Sequence, residues 1–216
     1  MKRVLLCTLA FACVAASQAT VLIFETEQGS TLGQLDIAPG SGYGDRVASV
    51  TQDGFRYGAA GGFTPNVLVA YGGLSSTPSG WATGYGDLVN VIWGNGPSTG
   101  TNTYSITLSA DAGWFVRLRR FDAASWASSQ PSSFISIRNA SGQQVFSFSG
   151  PLEENTSTPF DFGAGLVDTS LTIEISQGWW HALDNIEFSQ DVVPEPATMA
   201  ILGLAAAGLA ARRRKS

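Results

Sequence analysis

Residues Thr103–Ser109 read TYSITLS, and residues Leu171–Ser176 read LTIEIS. In both segments an apolar side chain alternates with a polar one, so the apolar side chains of an extended chain all lie on one face. Alternation with a period of two is typical of antiparallel strands that bury one face and expose the other to water. These two segments therefore predict antiparallel β-sheet structure.

Similar short apolar runs, separated by turn-forming Gly, Ser, Thr and Pro residues, recur over residues 20–191. No part of this region shows a sustained helical period, and its length suits one all-β domain. We predict an antiparallel β-sandwich of the jelly-roll type. The predicted strands are Val21–Glu25, Arg46–Thr51, Asn66–Tyr71, Leu88–Trp93, Thr103–Ser109, Phe115–Phe121, Phe134–Arg138, Val145–Phe148, Leu171–Ser176 and Ile186–Ser189.

Residues 1–19 have the pattern of an export signal. Two cations follow Met1, an apolar run extends from Val4 to Ala16, and small residues surround Ala19. This pattern predicts a secretory signal peptide that is handled by the Sec machinery and cleaved after Ala19. Both cysteines of the chain fall in this segment, so the exported part contains none. Acylation of Cys13 is a second interpretation, which the bulky residue two positions earlier disfavours.

Residues 192–216 differ in composition from the domain before them. They contain, in order, a Pro-Glu-Pro triplet, an alanine-rich apolar stretch and a cluster of cations at the end of the chain. Such a segment predicts a short C-terminal transmembrane helix whose cations stay on the cytoplasmic side. The residues that define the pattern are Val193, Pro194, Glu195, Pro196, Arg212, Arg213 and Arg214.

The three parts together closely resemble the PEP-CTERM sorting signal of Gram-negative bacteria. The resemblance implies recognition by an exosortase, a membrane-embedded cysteine transpeptidase-like enzyme, with processing near Pro194–Pro196. It also implies transient attachment to the inner membrane, followed by display at the cell surface or release. Proteins with such a tail are usually linked to exopolysaccharide production and biofilm. The resemblance gives no information on the fold before Val193.

The exported domain is strongly acidic. The whole chain has a formal net charge of −5, but residues 20–191 hold six arginines, no lysine and sixteen acidic residues, which gives −10. Binding to phosphates requires clustered cations, so a nucleic-acid partner is excluded. The same charge repels anionic polymers unless divalent cations bridge them. A neutral glycan, or calcium-dependent contact with an acidic one, is therefore the expected polysaccharide partner.

All six tryptophans lie in the exported domain. Tryptophan rings stack on the faces of sugars, but tryptophan is also a common core residue. Trp81 and Trp126 lie in Gly/Ser/Pro-rich segments that favour exposure to solvent. Trp179 and Trp180 are neighbours at the entrance to a strand, so their side chains point to opposite faces and at most one of them is exposed. The candidate glycan-binding residues are Trp81, Trp126 and Trp180.

Two segments have nearly the same sequence: Gly42–Val47 reads GYGDRV and Gly84–Val89 reads GYGDLV. We call them the first turn and the second turn. One interpretation is a pair of similar glycine-rich turns, in which Asp side chains accept hydrogen bonds from nearby backbone amides. The other is a pair of carboxylate-bearing loops for Ca²⁺, which takes oxygen ligands.

Near the end of the domain, Asp184-Asn185-Ile186-Glu187-Phe188 follows the pattern Asp-Asn-Ile-x-Phe. This is similar to the last strand of galactose-binding-like jelly rolls, which include carbohydrate-binding modules. The resemblance implies a structural Ca²⁺ site at Asp184. Its further ligands would come from Glu25, Glu27 and Asp45. Calcium is the one cofactor that the sequence suggests.

The sequence offers little for catalysis. His181 is the only histidine, which excludes a multi-His zinc site, and no Gly-x-Ser-x-Gly motif occurs. Ala182 occupies the position of the first carboxylate in the laminarinase-type Glu-x-Asp-x-x-Glu motif. We predict a non-catalytic surface or extracellular-matrix protein that associates with polysaccharide. The alternatives are a purely structural or adhesive biofilm matrix protein and an enzyme of unrecognised type.

Overall fold

The computed structural model describes residues 18–73, 77–97, 102–126 and 132–193. The predicted sorting residues Pro194, Glu195 and Pro196 lie outside the described residues, as do the predicted transmembrane helix and the terminal arginines. Within the described part of the chain, no helix has the length and apolar character needed to span a membrane.

The described residues form strands and one short helix. In chain order these are β1 (Gln18–Thr26), α1 (Gln34–Ile37), β2 (Thr51–Gln52), β3 (Phe55–Ala59), β4 (Val67–Gly73), β5 (Thr77–Trp81), β6 (Val91–Asn95), β7 (Thr103–Ala110), β8 (Trp114–Ser125), β9 (Ser133–Asn139), β10 (Gln144–Gly150), β11 (Thr158–Asp168), β12 (Ser170–Ser176) and β13 (His181–Val192).

The strands form two antiparallel sheets. The larger sheet has the order β11-β8-β13-β1-β3-β2, and β6 pairs with β13 and with β5. The smaller sheet has the order β10-β9-β12-β7-β4. The predicted antiparallel β-sandwich is therefore confirmed, with a main core between the two sheets.

The alternating segments that predicted the fold lie side by side in the smaller sheet. Ile106 of β7 pairs with Ile173 of β12, and both side chains are fully buried. Thr107 and Thr172 pair on the opposite face, where their hydroxyl oxygens are 3.1 Å apart. One face of each strand thus supplies the core, and the other carries a ladder of hydroxyl groups.

The sequence-based strand assignment is wrong in several places. Arg46–Thr51 does not form one strand: Arg46 has a φ of 49°, Val47 forms an isolated bridge with Thr64, and β2 begins at Thr51. β3, β5 and β11 were not predicted. In β5, Pro and Gly weaken the alternation of apolar and polar residues that indicates a strand. In β11, Gly163 and Gly165 interrupt this alternation, and both have positive φ angles.

The predicted signal-peptide boundary falls inside β1. Ala19 is fully buried and pairs with Ser189 of β13. Cleavage after Ala19 stays a prediction.

β13 organises the larger sheet. It pairs with β8 along its length, and on its other side it pairs first with β6 and then with β1. The change of neighbour occurs near Asn185, which has a φ of 52°. A second, smaller core lies at the β6 end, where Trp93 and Ala182 pack with Tyr85 and Ala124.

Candidate functional site

Five aromatic side chains line one cavity of about 150 Å³ at the β6 end of the larger sheet. The segments that carry them are distant in the sequence: the end of β5, the second turn, β6, the end of β8 and the turn before β13. Because β13 pairs with both β6 and β8, these segments meet at one place. We call the set the aromatic box; its members are Trp81, Tyr85, Trp93, Trp126 and Trp179.

The rings of the aromatic box stand nearly perpendicular to one another. The ring centroids of Trp81 and Trp126 are 5.8 Å apart with an interplanar angle of 73°. Trp81 and Trp93 are 5.7 Å apart at 71°, and Trp93 and Trp179 are 4.7 Å apart at 69°. Edge-to-face contacts of this kind are favourable, so the rings of the box stabilise one another's positions.

The box has a buried floor and an open rim. Tyr85 and Trp93 are only 2% and 7% exposed, whereas Trp81 and Trp126 are 43% and 40% exposed. The Tyr85 hydroxyl donates a hydrogen bond of 2.6 Å to the Trp179 carbonyl, which joins the second turn to the start of β13. A ligand would therefore enter past the two rim tryptophans.

A glycine of the second turn allows the ring of Trp126 to pack directly against the backbone of that turn. Gly84 has a φ of 101°, and a Cβ atom placed on it would lie 2.6 Å from Cζ3 of Trp126. Trp126 is also held by its backbone amide, which donates to the Trp180 carbonyl at 2.9 Å. Only glycine combines this backbone conformation with such a close approach of the indole ring.

The indole of Trp93 carries a buried hydrogen-bond donor. The Nε1–H of Trp93 is buried and has no hydrogen-bond partner among the described residues. Buried polar groups in proteins nearly always have a partner. This nitrogen has less than 1 Å² of accessible surface, so it is enclosed by the packing around Trp93 and is closed to a ligand in the cavity.

The structure brings together two of the three predicted glycan-binding residues, Trp81 and Trp126. Trp180 is half-buried and does not line the cavity, whereas its neighbour Trp179 does. Sequence reasoning missed Tyr85 and Trp93 as site residues. The repeated Gly-Tyr-Gly-Asp sequence was the available signal for Tyr85, but nothing in the sequence indicated that its turn lies against tryptophans.

A cluster of carboxylates lies where β13 changes neighbours. Asp184 is buried, with its Oδ1 accepting the Asn185 amide at 2.7 Å. Burial raises the pKa of the Asp184 carboxyl to about 8, and the nearby charges of Asp122 and Glu25 add to this effect. The hydrogen bond from Asn185 acts in the opposite direction. Asp184 is thus poised to hold its proton near neutral pH.

The other two carboxylates of the cluster have cationic or amide partners. Glu25 accepts a hydrogen bond of 2.9 Å from Asn90 Nδ2 and forms an ion pair of 3.4 Å with Arg56. Asp122 accepts hydrogen bonds of 2.9 Å from both Arg120 and Asn185.

The residues predicted for calcium are separated into two groups. Asp184 and Glu25 are electrostatic neighbours, whereas Glu27 lies exposed in the turn after β1 and Asp45 accepts the Val69 amide at 2.6 Å. Among the described residues no group of three or more Asp, Glu, His or Cys side chains could hold a metal ion. Calcium at Asp184 stays a prediction.

The two turns bind neighbouring backbone in the same way. Asp45 of the first turn accepts the Val69 amide, and Asp87 of the second turn accepts the Ser157 amide, each at 2.6 Å. This geometry favours the interpretation of the two segments as similar glycine-rich turns, in which the aspartates have a structural role.

The sole histidine of the sequence is buried at the start of β13. His181 begins β13, pairs with Ser125 of β8 and is 1% exposed.

The PEP-CTERM protein-sorting motif matches residues 192–215. The chain therefore carries the tail of an exported protein that is anchored in the membrane during sorting and is processed by an exosortase.

Solved structures with similar folds include carbohydrate-binding modules. A GH26-CBM35 β-(1,4)-mannanase of Podospora anserina is 15% identical with a TM-score of 0.35, over 61% of this chain and 29% of the mannanase. The family 32 module of NanJ from C. perfringens, in complex with galactose, is 12% identical with a TM-score of 0.34, over 57% of this chain and 93% of the module. A variant of the family 29 module CBM29-2 is 14% identical with a TM-score of 0.29, over 59% of this chain and 98% of the module.

The similarity to the mannanase thus spans less than a third of that enzyme. No curated protein matches the chain.

Proposed function

We propose that this exported protein is a non-catalytic component of the cell surface or extracellular matrix that binds extracellular polysaccharide in the aromatic box. The observation that carries the proposal is the convergence of Trp81 and Trp126, both about two-fifths exposed, on a single cavity with a buried aromatic floor.

An exposed pair of tryptophans has a physical cost, because large apolar rings are in contact with water. Concave sites lined by aromatic side chains are typical of ligand pockets, and indole faces pack well against the C–H faces of sugar rings. The rim of the aromatic box therefore has the properties of a contact surface for a glycan.

The charge of the domain supports a neutral polysaccharide. The segments that carry the box, residues 77–97, 121–126 and 177–183, contain no lysine or arginine. These segments therefore offer no cationic side chain that could bind an anionic polymer, and the acidic domain would repel such a polymer.

The proposal is tested with the variants Trp81→Ala and Trp126→Ala and the control Trp114→Ala, which removes a tryptophan at the start of β8 outside the box. Binding to a glycan array and to matrix polysaccharide is measured for each. We expect a loss of about tenfold or more in affinity for the two rim variants and no change for the control. Absence of binding, or unchanged binding in both rim variants, would leave a structural matrix protein as the better function.

The sorting step has a separate test. Replacement of Pro194, Glu195 and Pro196 by alanine should leave full-length precursor in the membrane fraction, because the processing signal is lost. Normal maturation of this variant would contradict exosortase processing near the triplet.

A further inference from the structure

The interior of the aromatic box is poor in hydrogen-bond acceptors. Among the described residues, aromatic side chains alone line the cavity. Indole nitrogens donate hydrogen bonds but do not accept them, so the Tyr85 hydroxyl oxygen is the one side-chain acceptor, and that hydroxyl is held by its bond to the Trp179 carbonyl. A group that carries several N–H or O–H bonds would therefore lose water in the box without replacement hydrogen bonds.

The surroundings of the box are negatively charged. The segments that carry it contain no lysine or arginine, and their acidic residues are Asp87 and Asp122. Asp122 pairs with Arg120, whereas Asp87 has no cationic partner among the described residues. Hydrogen bonds from Ser157 hold the pKa of Asp87 below its usual value, so this carboxylate is ionised at neutral pH. The charge near the box thus favours a cation over an anion.

The rings of the box add a second attraction for a cation. Tryptophan and tyrosine rings attract positive charge within about 6 Å of the ring centroid, and the effect is larger where water is excluded. Neighbouring tryptophan rings of the box have centroids 4.7 to 5.8 Å apart and stand at 69° to 73° to one another. Rings at such steep angles bound the cavity of about 150 Å³ from several directions, and a cation in so small a space lies close to more than one of them.

We infer that the aromatic box binds a trimethylammonium group. A quaternary nitrogen carries a positive charge but no N–H, so it suits a negative, aromatic cavity with almost no acceptor. A cavity of this volume holds benzene, and a trimethylammonium group is of similar size. The inference rests on the proposed function for the polymer at the rim, and it names the group that the interior recognises. This group is either a substituent on an otherwise neutral polysaccharide or a free solute of the choline type.

Small probes test the chemistry of the site. Choline is compared with 3,3-dimethylbutan-1-ol, which has the same shape without the charge, and with ethanolamine, which has the charge but carries N–H groups in place of methyl groups. Affinities are measured with the mature protein by titration calorimetry and by tryptophan fluorescence. We expect choline to bind roughly tenfold or more tightly than either comparison compound.

Two results with these probes overturn the inference. If choline and its neutral isostere bind equally, or not at all, the charge has no role in the box. If choline and ethanolamine bind equally, the acidic domain attracts any small cation.

Substituted polymers identify the source of the group. Dextran that carries trimethylammonium groups is compared with dextran that carries the same number of primary amines. The acidic domain attracts both polymers, so the difference between their affinities reports on the box. A preference of roughly tenfold for the trimethylammonium polymer identifies a polysaccharide substituent, and choline binding without this preference identifies a free solute.

The aromatic wall is tested with Trp126→Leu, which keeps an apolar side chain but removes the ring. The control is Trp114→Leu, outside the box. We expect Trp126→Leu to weaken choline binding about fivefold or more while binding of the neutral isostere changes little, and the control to leave both unchanged. An undiminished preference for choline in a folded Trp126→Leu protein refutes the box as the site. If thermal melting shows that this variant does not fold, the probes on the unmodified protein decide.

The unmodified protein also separates this inference from the proposed function. Binding of matrix polysaccharide without any preference for choline overturns the inference and leaves the proposed function standing. Binding of choline by a protein that binds no polysaccharide contradicts the proposed function and supports the trimethylammonium site.

Discussion

The first and second turns have nearly the same sequence, positive φ angles at both glycines and an aspartate that accepts a backbone amide, yet they serve different parts of the molecule. The glycines of both have positive φ angles, and the aspartate of each accepts a strand or loop amide at 2.6 Å. Both tyrosines are at most 2% exposed. The local sequence therefore determines how each turn is built, but not what the turn does.

The neighbours of the two tyrosines make the difference. Tyr43 lies in the main core, stacks on Tyr57 at 5.1 Å and accepts the Phe24 amide through its hydroxyl at 2.7 Å. Tyr85 packs edge-to-face on Trp126 at 5.2 Å and forms the floor of an open cavity. The tyrosine of the motif therefore packs into the main core where its neighbours are tyrosines and phenylalanines. Where its neighbours are tryptophans, it lines the cavity.

The largest expected effect separates the two tyrosines. Tyr43→Ala should lower the free energy of unfolding by about 4 kcal/mol, because it opens a cavity in the main core and leaves the Phe24 amide without its acceptor. Tyr85→Ala should cost less stability but should weaken glycan binding about tenfold. Urea unfolding and glycan titration measure the two quantities. Similar stability losses with no change in binding for Tyr85→Ala would show that the turns are equivalent.

The next effect concerns Asp184 of the carboxylate cluster. The pKa of Asp184 is about 8 in the folded protein instead of the usual 3.8, so the folded state holds the proton more tightly than the unfolded state. Between these values stability falls as the pH rises, by at most about 1.4 kcal/mol per pH unit. Asp184→Asn removes this loss while keeping the oxygen that accepts the Asn185 amide.

The gain in the free energy of unfolding from Asp184→Asn should therefore be near zero in acid and should increase toward pH 8. Unfolding in urea at several pH values, with EDTA present, measures it. A variant that is equally destabilised at every pH would show that Asp184 is ionised throughout.

A smaller effect distinguishes the glycines of the two turns. Gly42→Ala and Gly84→Ala both place a side chain at a positive φ and should each cost about 1 kcal/mol. A Cβ at Gly42 meets nothing within 4 Å, whereas at Gly84 it displaces Trp126. Only Gly84→Ala should weaken glycan binding and change the tryptophan fluorescence. Equal binding by both variants would argue against Trp126 as part of the rim.

The smallest effect tests calcium. If Asp184 holds Ca²⁺, added CaCl₂ should raise the melting midpoint of the unmodified protein by a few degrees, because a ligand of the folded state stabilises it by mass action. Asp184→Asn should lose this response. Asp45→Asn should keep it, since the carboxylate of the first turn is engaged by Val69. A midpoint that is the same in CaCl₂ and EDTA removes the calcium prediction.

The fold was predictable where local pattern and tertiary structure agree. β7 and β12 alternate cleanly, pair with each other and bury the predicted faces. β5 was missed because Pro78 and Gly80 disfavour a strand locally, although pairing with β6 makes it one. Propensity cannot reveal such pairing, because the partner strand supplies the stabilising contacts.

The candidate site was predictable only in part for a related reason. The Gly/Ser/Pro-rich segments around Trp81 and Trp126 predict that both side chains are exposed. The distance of 5.8 Å between their ring centroids, however, depends on β5, β6, β8 and β13 meeting in one sheet. The choice between Trp179 and Trp180 depends on the turn before β13. In that turn Gln177 has a φ of 57°, so strand alternation does not apply.

The course of β13 also sets the distance between the aromatic box and the start of the sorting motif. Its first residue, His181, follows the turn that carries Trp179, and its last, Val192, is the first residue that the sorting motif matches. A strand of twelve residues is about 35 Å long. The aromatic box and the start of the sorting motif are therefore at opposite ends of the same strand, so the motif begins about one strand length away from the site.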